Sequence, residues 1–137
     1  MLMPKKTKYR KVQRGRRKGV SKGARTVAFG EYGLQAVEPA WLTAQQIESM
    51  RITLSRSIKK EKDSKMYLRV FPDKPITKKP AETRMGKGKG GVDKWVAVVK
   101  RERIICEIAG VQEEEARKIL HSAAYKLPMK VRFVKKA

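Results

Sequence analysis

Two stretches of the chain repeat apolar residues at helical spacing. Ile47, Met50, Leu54 and Ile58 recur every three or four residues, which predicts an amphipathic helix from about Thr43 to Lys60. Thr43, with Gln46 three residues later, has the pattern of a capping box at its start. Ala116, Ile119, Leu120, Ala123 and Leu127 form a second stripe between Gly110 and Pro128. Glu113, Glu114 and Glu115 suit the positive end of that helix's dipole.

Strand patterns fill much of the rest. Thr26 to Phe29 and Leu34 to Val37 read as short strands around a turn at Gly30-Glu31-Tyr32-Gly33. Met66 to Phe71 reads as another, ended by Phe71-Pro72-Asp73-Lys74-Pro75, since proline cannot continue a ladder. A long loop is expected from about Pro72 to Lys94. Trp95 to Val99 and Arg103 to Ile108 look like two antiparallel strands joined by a turn at Lys100-Arg101-Glu102, and Met129 to Val134 like a final strand. The expected fold is α+β: two amphipathic helices packed on a mostly antiparallel sheet, with a basic extended N-terminal arm and a long Gly/Lys loop. The expected division is an arm over residues 1–25 and a single α+β domain over 26–137.

Charge changes this picture from a fold to a partner class. The chain has 137 residues with 35 Lys and Arg against 13 Asp and Glu, a formal net charge of +22. Such an excess repels itself unless a polyanion neutralises it, which makes nucleic acid the leading partner. Between Met1 and Gly30 stand 11 Lys or Arg residues and no acid. An arm so poor in apolar residues is expected to order only against phosphates. Its candidate RNA contacts are Lys5, Lys6, Lys8, Arg10, Lys11, Arg14, Arg16, Arg17, Lys18, Lys22 and Arg25, with Tyr9 placed to stack on an unpaired base. Arg51, Arg56, Lys59 and Lys60 crowd the C-terminal half of the first helix, where they suit both the helix dipole and an RNA backbone.

The loop supplies a third basic surface through Lys78, Lys79, Arg84 and the run Met85-Gly86-Lys87-Gly88-Lys89-Gly90-Gly91. It is not a P-loop, because no Ser or Thr follows either lysine and no helix follows the run. Alternating glycine and lysine instead lets backbone amides and ammonium groups press on a phosphate chain.

Other chemistry finds little support. Cys106 is the only cysteine, so no internal disulfide forms, and its isoleucine neighbours suggest a buried strand. His121 is the only histidine and lacks a second ligand at metal spacing, so neither a metal site nor a cofactor is expected, and the chain reads as no enzyme. A nucleotide-hydrolysing or RNA-modifying enzyme would need a catalytic constellation that the sequence does not offer. A free regulatory nucleic-acid binder is the remaining rival. No apolar run reaches the roughly 18 to 20 residues of a spanning helix, and no secretory signal follows Met1, so no membrane role and an intracellular, cytoplasmic setting are expected.

Several motifs in order carry a family resemblance. Met1-Leu2-Met3-Pro4-Lys5, Phe29-Gly30-Glu31-Tyr32-Gly33-Leu34, Leu42-Thr43-Ala44-Gln45-Gln46-Ile47-Glu48, Arg69-Val70-Phe71-Pro72-Asp73-Lys74-Pro75 and Arg84-Met85-Gly86-Lys87-Gly88-Lys89-Gly90 together resemble the bacterial-type large-subunit ribosomal protein L-sixteen family. That family shares its α+β fold with archaeal and eukaryotic L-ten-e proteins. The resemblance implies a structural constituent of the large ribosomal subunit near the base of the central protuberance. It implies binding to 23S-type large-subunit rRNA, with 5S rRNA nearby, and neighbouring large-subunit ribosomal proteins as partners. It also implies a part in late subunit assembly and in shaping the site for aminoacyl-tRNA near the peptidyl transferase centre, with peptidyl-tRNA as a further contact. The loop from Arg84 to Gly90 is the segment that the resemblance brings closest to tRNA.

Arg84 matches the arginine that certain bacteria hydroxylate, and Arg51, Ile52 and Arg56 look like the positions beside the family's orthosomycin antibiotic site. Glu61-Lys62-Asp63-Ser64 departs from the family, being longer and more acidic than the usual glycine-containing turn. Organellar copies are similar, so a plastid ribosome is the alternative setting.

Overall fold

The computed structural model describes residues 2–9, 11, 19–59, 63–78 and 91–136. In chain order the elements are β1 (Tyr32–Ala36), β2 (Ala40–Thr43), α1 (Ala44–Ile58), β3 (Lys65–Leu68), β4 (Lys74–Lys78), β5 (Gly91–Val99), β6 (Ile104–Ala109), α2 (Glu113–Ala124) and β7 (Val131–Lys135). The fold is α+β, with the two helices packed together over antiparallel sheet.

Both helices form where the stripes place them, except that α2 ends at Ala124, before Leu127. Thr43 caps α1: its Oγ1 accepts the Gln46 amide at 3.2 Å while the Gln46 side chain accepts the Thr43 amide at 3.0 Å, satisfying two donors that helix geometry leaves open. Ile47, Met50 and Leu54 of α1, and Ala116, Leu120 and Ala123 of α2, meet Leu34, Cys106 and Ile108 from the sheet in one core. α2 has no side-chain cap bond at Gln112, so its acidic first turn carries the electrostatic complement. Gly110, at φ +81°, lies between β6 and α2, where any Cβ would stand 2.3 Å from the Asp63 carbonyl oxygen. The backbone at Asp63-Ser64 is therefore pressed directly on the link between β6 and α2.

The strands divide between two sheets instead of one. A four-stranded sheet runs β3-β6-β1-β7, and a three-stranded sheet runs β2-β5-β4. The expected hairpin between 95–99 and 103–108 does not exist. β5 pairs with β2 and β4, while β6 pairs with β1 and β3. The reason lies in the link: Ala36 exchanges backbone bonds with Glu102 and Arg103, both 2.8 Å, which draws the chain out of one sheet and into the other. Glu102 takes φ 73° to make that turn.

The expected loop over Pro72 to Lys94 is also corrected, since it contains all of β4 and the start of β5. β4 is an edge strand, which is where a ladder tolerates Pro75.

A third correction concerns Thr26 to Phe29, which is no strand. Its amides turn to a side chain. The N–H groups of Ala28, Phe29 and Gly30 donate to Glu107 Oε1 at 3.0, 2.8 and 2.8 Å, and Arg69 Nη1 binds Glu107 Oε2. Glu107 lies in β6 and is fully buried. β1 accordingly begins at Tyr32, inside the expected turn, and Gly30 fits because a Cβ there would meet the Ile108 carbonyl oxygen at 2.6 Å.

Burial pushes the Glu107 carboxyl up, but the Gly30 amide, the Arg69 guanidinium and the Phe29 and Ala28 amides together outweigh it and hold it below its ordinary 4.5. With the folded value depressed, the stabilisation is complete above 4.5 and is lost as pH falls through the folded value. Glu107→Ala strands Arg69 and three amides, so urea denaturation at neutral pH should show a loss of about 3 kcal/mol or more. The stability of Glu107→Gln should depend less on pH below 4.5 than that of the parent, and parallel profiles would contradict the assignment.

Candidate nucleic-acid interface

Carboxylates are scarce, and among the described residues Glu48, Glu102 and Glu113, besides Glu107, pair with cations. Arg25 pairs with Glu102 at 2.5 Å, and Arg51 with Glu48 on α1. Glu113 binds Lys135 at 2.6 Å and Arg117 at 3.2 Å. The Arg51 hydrogen bond holds the Glu48 carboxyl below its usual value, and Lys135 does the same for Glu113. These pairs are exposed and contribute little to stability. Their effect is to remove Arg25 and Arg51 from the freest cations.

The residues expected to meet RNA are spread over several surfaces. Lys5, Lys6, Lys8, Tyr9 and Lys11 are exposed along the N-terminal segment, with Lys8 Nζ 5.7 Å from the Tyr9 ring centre. The start of this segment is held, because Leu2 packs against the core. Ile52, Arg56 and Lys59 follow at i, i+4 and i+7, so they share an outer face of α1 away from its buried stripe. Arg51 sits beside them, half-buried against Glu48. Lys22 is exposed. The backbone of Lys78 pairs with Gly91 at the end of β4. Arg10, Arg14, Arg16, Arg17, Lys18, Lys60, Lys79, Arg84, Met85, Gly86, Lys87, Gly88, Lys89 and Gly90 lie outside the described residues.

Residues 20–30 run over the outer face of the four-stranded sheet. Val20 bridges to Arg101, the Ser21 amide donates to the Arg101 carbonyl at 2.9 Å, and the Ala24 carbonyl accepts the Ile104 amide at 2.7 Å. Gln35 Nε2 donates to the Arg25 carbonyl at 3.0 Å, while Arg132 Nε steadies Gln35 Oε1 at 2.6 Å. This lays Lys22 beside Lys100 and Arg103, which with Ser21, Gly23 and Val98 line a hollow of about 300 Å³.

Sequence reading missed Lys100 and Arg103 because their partner Lys22 is far away in the chain. The only local signal was the basic pair Lys100-Arg101 between two strands. It missed as well the Phe29 ring, 63% exposed, against which Arg69 stacks at 5.0 Å and Tyr67 packs at 5.8 Å.

The model of the family described as ribosomal protein L16p/L10e matches residues 4–134. The chain belongs to the L16p/L10e family. It is 58% identical over 136 residues to the large ribosomal subunit protein uL16 of Heliobacterium modesticaldum, covering 99% of this chain and 93% of that protein. With the large ribosomal subunit protein uL16 of Fervidobacterium nodosum it shares 58% over 134 residues, 98% of this chain and 93% of that one.

Membership in L16p/L10e makes the chain a ribosomal protein and not an enzyme. His121 is exposed on α2, with Nε2 3.1 Å from the Tyr125 hydroxyl and the rings edge to face. Among the described residues no helix is long and apolar enough to cross a membrane, and no group of His, Cys, Asp and Glu is arranged to hold a metal ion.

Cys106 is fully buried in β6. Burial pushes its thiol up to about 12, reinforced by the nearby Glu107 charge and opposed by a hydrogen bond with the Leu34 backbone. At pH 8 the folded protein should therefore resist iodoacetamide, and urea should release alkylation in step with global unfolding. Fast labelling of the native chain would contradict this burial.

Proposed function

We propose that the chain is a structural constituent of the large ribosomal subunit that binds large-subunit rRNA through its N-terminal arm, the outer face of α1 and the loop after β4. The observation that carries this reading is 58% identity to proteins named as large ribosomal subunit uL16 across nearly the whole chain. The +22 charge supports it, because 13 acids cannot neutralise 35 Lys and Arg and the excess is left to meet phosphate. In this reading residues 1–25 are the arm, its last part already laid on the sheet, and 26–137 form the RNA-binding domain. Partners are the rRNA, with 5S rRNA nearby, and adjoining ribosomal proteins.

The finer role follows the family resemblance. The segment from Lys78 through Gly90 reaches toward aminoacyl-tRNA near the peptidyl transferase centre, and the protein joins the subunit late in assembly. Its contribution there is positional and electrostatic, with ammonium and amide groups meeting phosphate, and no bond is made or broken by its side chains.

The membership test is sedimentation: the tagged full chain should travel with large subunits through a high-salt gradient. Recovery of most copies in the free fraction would defeat the proposal. Within the interface, Arg56→Gln should reduce the salt slope of rRNA binding by about one unit at most, and Arg51→Gln by less, since Glu48 already holds that guanidinium. Filter binding across a potassium chloride series measures both, and equal losses would remove the distinction. Arg84→Ala should slow translation more than it lowers subunit occupancy, one arginine being a small part of the phosphate contacts. Normal translation at normal occupancy would exclude a role for Arg84 beside tRNA.

A further inference from the structure

The 300 Å³ basic hollow is one end of a longer cleft. It shares Val98 and Arg103 with a neighbouring cavity of about 650 Å³, into which Phe29, Phe71, Leu68 and Asp73 also face and whose wall includes Leu2. The cleft follows the seam between the two sheets, with β5 on one side and the segment after β3 on the other. Its two chambers differ in chemistry. One carries two aromatic rings, with Phe29 63% and Phe71 47% exposed at its rim, set among apolar residues, Arg69 and Asp73. The other is cationic, formed by Lys22, Lys100 and Arg103 beside the Ser21 to Gly23 backbone.

We infer that this cleft seats one unpaired nucleotide of the ribosomal RNA, its base in the aromatic chamber and its phosphate in the basic one. The inference rests on the rRNA-binding reading above and assigns it a site. An aromatic wall beside a cationic pocket is the arrangement that single-stranded RNA needs, because every base has a face to stack and every phosphate a charge to meet.

Arg103 joins the chambers. Its Nη2 donates to the Arg69 carbonyl at 2.7 Å, which fixes the guanidinium plane. Its Nε is buried without an acceptor among the described residues. Neither Lys22 nor Lys100 has an acidic partner among the described residues, so both charges are available. Among the described residues Asp73 is the one acid on the cleft, and it lines the aromatic chamber and not the basic one. There a carboxylate suits an exocyclic amine, which favours adenine, cytosine or guanine over uracil.

The test uses large subunits assembled in cells whose only copy of this protein is the parent chain, Phe71→Ala or Lys100→Gln. Their rRNA is probed with dimethyl sulfate and a 2′-hydroxyl acylating reagent. Both side chains stand at the cleft rim, and equal melting temperatures of the purified chains verify that the variants fold. The same unpaired nucleotide should gain reactivity in both variants, by about fivefold in Phe71→Ala, the factor implied by losing a base–aromatic stack at the weak end of its range. The rest of the footprint should stay as in the parent.

Normal incorporation with unchanged reactivity everywhere would overturn the cleft assignment and leave the ribosomal reading standing. Absence of the parent chain from the subunits would overturn both. As a check independent of folding, a photoreactive benzoyl group at position 71 of the full chain should crosslink to rRNA. Crosslinking to a neighbouring protein alone would show that the cleft holds something else.

Discussion

The Glu107 carboxylate, buried in β6, is the interaction on which the outer half of the molecule depends. An ionised acid in that position is tolerable only if its lone pairs are met, and three consecutive amides with one guanidinium meet them. The consequence is geometric as much as energetic. Holding residues 28–30 to the sheet fixes where the chain enters β1 and brings the preceding basic segment across the sheet's outer face. Arg69, drawn in by the same carboxylate, stacks on Phe29 and leaves its carbonyl to Arg103. One acid therefore arranges an aromatic ring, two arginines and a stretch of backbone in a chain where acids are few.

That scarcity explains how charge is divided between fold and function. A chain at +22 has few acids to place, and among the described residues Glu107 is the one that is buried. Glu48, Glu102 and Glu113 pair on exposed surface, where the net gain is small. Stability has to come from the apolar core shared by α1, α2 and both sheets, and the excess of cations over acids is left to serve phosphate. Removing the RNA leaves a fold held by burial and one clamped carboxylate while its surface repels itself.

What could be read from sequence was what is local. The α1 stripe with its Thr43 and Gln46 box, the acidic start of α2 and the apolar run of β6 each announce themselves within one element. Thr26 to Phe29 misled because its residue types suit a strand, while its backbone partners are set by an acid 78 residues from Phe29. β4 was hidden by Pro75 and lysines, a composition that only an edge strand accepts. The break between β5 and β6 was invisible because a short connection normally closes a hairpin, and only Ala36 shows why this one does not. The acid-free run of positive charge from Met1 to Gly30 is local too, being a matter of composition alone. The Lys22, Lys100 and Arg103 cluster was not, since two distant segments supply it.

The crossing at Ala36 also accounts for the cleft. Had residues 95–108 closed as a simple hairpin, β5 and β6 would lie side by side and hydrogen bonds would fill the space between them. Because the chain changes sheets at Lys100 to Arg103, the two strands part, and the gap is lined by whatever the turn and its neighbours carry. In this chain the turn carries cations and the segment after β3 carries Phe71. The same backbone bonds that defeat the hairpin therefore create a concave surface with a charged end and an aromatic end, where a continuous sheet would have offered a flat one.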